Sequence, residues 1–284
     1  MLAPMHNPSP AGTGGTSAPA APFALIATDL DGTLLRTGDT ISARSRAALD
    51  RAAAAGAVHI VATGRPVPQV RPLLTGLGYQ GLAVCGQGAQ VYDAARDRLV
   101  HSVTLDRELA DTVLGKLEAE VGAVHAAVNQ ADTEGLTLAE PGYRMPHPTL
   151  PATRVEGRRG LWAEPINKVL VRHPDLSDEE LAAAAHQIVG DLVTVTRAGT
   201  DIVELQPYGV TKGAGLALAA ERLGLGPAGT IAFGDMPNDI PMFQWAAHGV
   251  AMANAHPELK AVADEVTLSH EEDGVAAVLE RHFG

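Results

Sequence analysis

Asp29 and Asp31 lie in the run Asp29-Leu30-Asp31-Gly32-Thr33-Leu34, directly behind the apolar stretch Phe23-Ala24-Leu25-Ile26-Ala27-Thr28. A short apolar run bounded by glycine reads as a buried strand of a parallel sheet. Such strands place chemistry at their carboxyl ends, where the next loop opens into a crevice. Residues two apart on an extended chain point the same way, so the spacing predicts two carboxylates in one site. Two acids that close cannot both ionise without a counter-charge, which calls for a divalent cation or a shared proton. The competing reading is a plain turn, since Asp-Gly is a common turn pair.

Three further segments follow apolar strands or open a helix. Thr63-Gly64 closes the run Val58-His59-Ile60-Val61-Ala62 and offers a hydroxyl and backbone N–H groups to a phosphate oxygen. Lys212 starts a predicted helix, where a cation opposes the helix dipole and an acid would be preferred. Holding an anion gives that lysine a purpose. Gly234-Asp235-Met236-Pro237-Asn238-Asp239, behind Ile231-Ala232-Phe233, adds two carboxylates and an amide. Hard oxygen donors without soft ones indicate Mg²⁺ rather than zinc or copper.

Other patterns lead nowhere. Gly86-Gln87-Gly88 lacks the third glycine of a dinucleotide loop, and residues 209–213 lack the Walker spacing. The 11 histidines include no His-x-His or His-Glu-x-x-His arrangement. Arg154, Arg158 and Arg159 read as a solvated basic loop. Cys85 is the single cysteine, which excludes an intrachain disulfide and argues against a thiolate zinc site, and it reads as a small buried strand residue.

The elements that must position these groups fall into two patterns. Strands over 23–28, 58–62, 82–84, 230–233, 250–252 and 266–268 alternate with helices over 42–55, 67–77, 212–223, 240–246, 257–263 and 274–281. That alternation predicts an α/β, Rossmann-like parallel-sheet core. Between its halves, helices at 106–121 and from the capping box Ser177-Asp178-Glu179-Glu180 to about 189 are each followed by two strands. This predicts an inserted α+β unit with an antiparallel sheet. The expected divisions are a disordered tail over 1–22, core over 23–90, insert over 91–206 and core again over 207–284. Residues 141–165, dense in Pro, Gly and Arg, receive no assignment.

Composition bounds the rest. The chain has 284 residues, 46% hydrophobic with only 4% aromatic, so Ala, Val and Leu must build its core. A formal net charge of −12 argues against nucleic-acid binding, which needs a basic face. An anionic substrate remains compatible, because a bound cation would be the largest local charge. No apolar run approaches the roughly 18 residues that span a bilayer. Residues 1–22 lack the basic start and apolar centre of a signal peptide, which makes the cytoplasm the default expectation.

Together, Asp29 to Leu34, Thr63-Gly64-Arg65, Gly88-Ala89, residues 209–213, Ala232 to Asp239, Val250 to Ala255 and Asp273-Gly274-Val275 resemble the haloacid dehalogenase (HAD) superfamily, in particular its Cof-like, class IIB-capped sugar phosphatases. Gln87 stands where that group usually has Asn. The resemblance implies a mobile cap in the insert and hydrolysis of small phosphate monoesters, such as sugar phosphates, through an aspartyl phosphate. It makes Asp29 the nucleophile and Asp31 the acid and base. It assigns Mg²⁺ to the Asp29 carboxylate, the Asp31 carbonyl and Asp235, with Asp239 acting through water. Thr63, Gly64, Lys212, Asn238 and the Leu30 N–H would bind the phosphoryl group, with Arg65 a further candidate for it. Tyr143, Arg144 and Trp162 are the candidates for substrate contact from the cap. The expected partner is a small phosphorylated metabolite, and the expected state a monomer or weak homodimer. A phosphotransferase or phosphomutase using the same intermediate, and a non-catalytic sugar-phosphate binder, remain the alternatives.

Overall fold

A computed structural model describes residues 22–145, 152–199 and 202–284. The predicted tail up to residue 21, residues 146–151 of the unassigned stretch and residues 200–201 lie outside the described residues.

The first half of the chain runs β1 (Leu25–Thr28), α1 (Ala43–Ala54), β2 (Val58–Ala62), α2 (Val67–Gly76), β3 (Leu82–Cys85), β4 (Gln90–Asp93) and β5 (Arg98–Ser102). The middle runs α3 (Arg107–Val121), β6 (His125–Gln130), β7 (Thr137–Ala139), β8 (Thr153–Arg154), α4 (Arg158–Leu161), β9 (Ile166–Arg172), α5 (Asp178–Val189), β10 (Val193–Gly199) and β11 (Ile202–Pro207). The rest runs α6 (Lys212–Glu221), β12 (Thr230–Gly234), α7 (Ile240–Trp245), β13 (His248–Ala251), α8 (Pro257–Lys260), β14 (Glu265–Val266) and α9 (Gly274–Phe283).

An eight-stranded sheet takes the order β14-β13-β12-β1-β2-β3-β4-β5. β1 is fully buried and pairs in parallel with both β12 and β2, so loops from both halves of the chain meet at its carboxyl end. The α/β reading holds. The first sheet nevertheless continues past residue 91, because β4 returns antiparallel to β3 after the tight turn at Gly86–Gly88 and β5 pairs with β4. Val91 and Tyr92 are buried in the first core as a result. The chain leaves this sheet after Ser102, beyond the expected boundary.

The second sheet, β10-β11-β9-β6-β7-β8, is antiparallel apart from the β7–β8 pair. Period-two alternation gives it two unlike faces. Ala126, Val128, Val169, Val171, Val203 and Leu205 pack beneath α3 and α5. Lys168 and Glu204 alternate with them and reach toward the first sheet, bonding Gly64 and Gln87. At the rim, Arg71 pairs with Glu134 and Arg197 with Glu258, both at 3.0 Å.

Some local expectations change. The helix expected over 257–263 stops at Lys260, and the last strand shrinks to Glu265–Val266. Arg158 is no solvated loop residue: its guanidinium takes both oxygens of Glu118 at 2.9 Å and also meets Glu140. Arg154 donates to the carbonyls of Glu140 and Tyr143, tying the unassigned stretch to the second sheet.

Candidate active site

Asp29 follows β1, with its N–H bonded to the Phe233 carbonyl at 3.0 Å and 4% of its surface exposed. The hydroxyl of Thr211 caps α6 by accepting from the Ala214 N–H, which fixes Lys212 in the first turn. Its ammonium, 1% exposed, lies 2.8 Å from Asp29 Oδ1 and 2.7 Å from Asp239 Oδ1. The other Asp239 oxygen accepts the N–H groups of Asp235 and Met236, at 3.0 and 3.1 Å. One carboxylate thus shapes its own loop and pairs with the lysine. Asp235 Oδ1 accepts from Thr33 Oγ1 at 3.2 Å. Carboxylate oxygens of Asp29, Asp235 and Asp239 all lie within 4.8 Å of one another. Gly32 makes this approach possible: it sits at φ +72°, and a Cβ there would overlap the Asp235 carboxylate.

Three buried carboxylates face one ammonium, and their protonation reflects the excess. Burial raises Asp29 well above the usual carboxylate range; Lys212 opposes that, and Asp239 and Asp235 add to it. Burial, then repulsion from Asp239, pushes Asp235 up to about 7. Burial alone would lower Lys212, but Asp239 and Asp29 hold it above its ordinary value. An all-oxygen donor set with surplus negative charge fits a hard divalent cation. Asp29, Asp235 and Asp239 are the side chains that could hold it.

Asp31 does not join this cluster. β1 ends at Thr28 and the chain turns at Gly32, so the alternation expected of an extended strand no longer applies. The Asp31 side chain is 53% exposed and is held by Arg65, whose Nε lies 2.9 Å from Oδ2. Arg65 also bonds Asp39 at 2.7 Å, so its guanidinium serves two carboxylates. The Leu30 carbonyl accepts from the N–H groups of Leu34 and Leu35 in the same tight loop.

Thr63 is buried at the end of β2, and its Oγ1 accepts from the Arg65 N–H at 3.1 Å, leaving its own proton to offer. The Gly64 carbonyl accepts from Lys168 Nζ at 2.8 Å. Asn238 donates to Gln87 Oε1 at 3.0 Å, while its own oxygen is buried without a hydrogen-bond partner. Tyr143 is buried against Ala127, Ala139 and Leu170, and its hydroxyl has no hydrogen-bond partner among the described residues. Trp162 packs beside the α3 core and bonds Asp111. Arg144 lines a cavity of about 460 Å³ with His125, Arg172 and Asp178, apart from the carboxylate cluster.

Lys168, Glu204 and Asp39 were not anticipated. A lysine inside the apolar run Ile166-Asn167-Lys168-Val169-Leu170-Val171 was the available signal, since a buried cation needs a partner. Nothing marked Glu204 as that partner.

The fold and the carboxylate–lysine cluster place the chain among hydrolases of one family. Residues 26–279 match the model of the haloacid dehalogenase-like hydrolases, and the chain belongs to that family. It is 30% identical over 282 residues to the 5-amino-6-(5-phospho-D-ribitylamino)uracil phosphatase YwtE of Bacillus subtilis, covering 90% of this chain and 96% of that one. It is also 30% identical to a chloroplastic endoribonuclease YBEY of Arabidopsis thaliana, but spans only 46% of that protein's length. A solved haloacid dehalogenase-like hydrolase from B. subtilis superposes with a TM-score of 0.77 at 26% identity, covering 90% of this chain and 99% of the other. Among the described residues, no helix is long and apolar enough to cross a membrane.

Proposed function

We propose that the chain is a Mg²⁺-dependent phosphatase that hydrolyses small phosphate monoesters through an aspartyl phosphate on Asp29. The observation that carries this reading is the buried Asp29 carboxylate, ion-paired with Lys212 and packed against two further carboxylates at the carboxyl end of the central strand. The names of the phosphatase relatives support it.

A carboxylate oxygen of Asp29 attacks phosphorus as the bond from phosphorus to the ester oxygen breaks. Asp31 gives its proton to the departing alkoxide. Water then attacks phosphorus, Asp31 takes a proton from it, and inorganic phosphate leaves as the Asp29 carboxylate is regenerated. For both transfers Asp31 must exchange Arg65 for the reacting oxygen. Lys212, Thr63 and Asn238 bind phosphoryl oxygens as charge shifts among them. Mg²⁺ held by Asp29, Asp235 and Asp239, with the Asp31 carbonyl, would supply positive charge to the phosphoryl group.

The test is hydrolysis of p-nitrophenyl phosphate with Mg²⁺, with and without a chelator, in the wild type and Asp29→Asn. Mg²⁺-dependent release of inorganic phosphate that Asp29→Asn abolishes supports the reading. Activity that survives chelation, or more than a few per cent of kcat in Asp29→Asn, defeats it. Turnover that needs an alcohol acceptor would favour phosphotransfer.

A further inference from the structure

Lys168 and Glu204 project from the second sheet and are almost wholly buried as an ion pair. Burying two charges seldom stabilises a fold beyond what an apolar pair would. Their partners suggest another purpose. Lys168 Nζ donates to the Gly64 carbonyl at 2.8 Å. The same Gly64–Arg65 peptide unit donates its N–H to Thr63 Oγ1 at 3.1 Å. A peptide unit is planar, so fixing its carbonyl also aims its N–H, and with it the Thr63 hydroxyl.

At the other end of the pair, Glu204 Oε2 accepts from Gln87 Nε2 at 2.9 Å and from Gln206 at 3.2 Å. Gln87 in turn accepts from Asn238 Nδ2 at 3.0 Å. A Cβ at Gly64 would collide with the Gln87 amide, so the two loops are in direct contact. One buried pair on the insert therefore reaches both Thr63 and Asn238, each through a single intermediary.

We infer that Lys168 and Glu204 are positioning residues that couple docking of the insert to the geometry of the phosphoryl-binding groups Thr63 and Asn238, with Gln87 as the receiver on the core. This rests on the phosphatase reading. It also gives the departure at Gln87 a use, since one amide bridges Glu204 and Asn238.

The test compares the wild type with Lys168→Met/Glu204→Met, which removes both charges at similar volume, and with Lys168→Arg and Arg71→Ala. With p-nitrophenyl phosphate the double variant should lose about thirtyfold or more in kcat/KM, because small misplacements of binding groups carry such costs. Its KM and its inhibition constant for inorganic phosphate should both rise, while Tm stays close to wild type. Lys168→Arg should recover most of the loss. Arg71→Ala, which breaks the rim pairs with Glu134 and Asp97, should stay within about twofold. Amide exchange at Arg65 and Gln87 should quicken in the double variant. A double variant with wild-type kcat/KM, or an equal loss in Arg71→Ala, overturns the inference and leaves the phosphatase reading standing. If the wild type hydrolyses no phosphate ester, the reading itself falls; unchanged exchange at Arg65 would then overturn the coupling independently.

Discussion

Replacing Lys212 by Met removes the ammonium lying 2.8 Å from Asp29 and 2.7 Å from Asp239. It leaves three buried carboxylates with no cation among them. Breaking a buried pair by deleting one partner costs about 3–5 kcal/mol. At roughly 2–4 °C per kcal/mol for a chain of this size, Tm should fall by about 10 °C. The loss must depend on pH. Asp29 and Asp235 already have raised pKa values, so the stability tied to their protonated forms is present at low pH and is lost as pH rises, for Asp235 through about 7. Without Lys212 those values climb further. The penalty is therefore largest near pH 8 and shrinks toward pH 5, where protons replace the lysine. Urea unfolding in chelator at both pH values measures it. A loss below about 1 kcal/mol at pH 8, or the same loss at both pH values, would refute the electrostatic account of the cluster.

Three further outcomes are expected. Gly32→Ala should cost about 1–3 kcal/mol from the positive φ, and should weaken Mg²⁺ binding by displacing Asp235, read by unfolding and by calorimetric titration. Mg²⁺ affinity should fall as pH drops below about 7, because Asp235 must shed its proton to bind; an affinity flat from pH 8 to 5.5 would count against Asp235 as a ligand. Asp31→Asn, given an ester with a good leaving group, should accumulate phosphoenzyme, detectable by intact-mass measurement after an acid quench.

Strand and loop order at the site were legible because buried parallel strands write themselves as short apolar runs with polar residues just behind them. Asp29, Asp235 and Asp239, whose carboxylates meet in the structure, each follow such a run. Asp31 misled it, since the turn at Gly32 starts before the second carboxylate and sends that side chain out to Arg65. The β4–β5 extension was hidden because strands on either side of a boundary look alike until their hydrogen bonds are known. The pairing of Lys168 with Glu204 is a cross-strand register fact, Glu204 lying opposite Leu170, and no local pattern encodes it. Arg158 looked solvated because its partners, Glu118 and Glu140, lie far off in sequence.

The placement of β12 beside β1 bears on how the chain is made. Thr33 and Asp235, bonded in the finished site, stand 202 positions apart. During synthesis, β1 and its buried acid are complete long before their neighbour or Lys212 has emerged. β6 to β11, by contrast, find all their sheet partners among themselves. The contiguous second sheet is thus free to form first, while the nascent β1 waits with one edge open. An unpaired strand edge of this kind is a template for pairing with another chain until its own neighbour arrives.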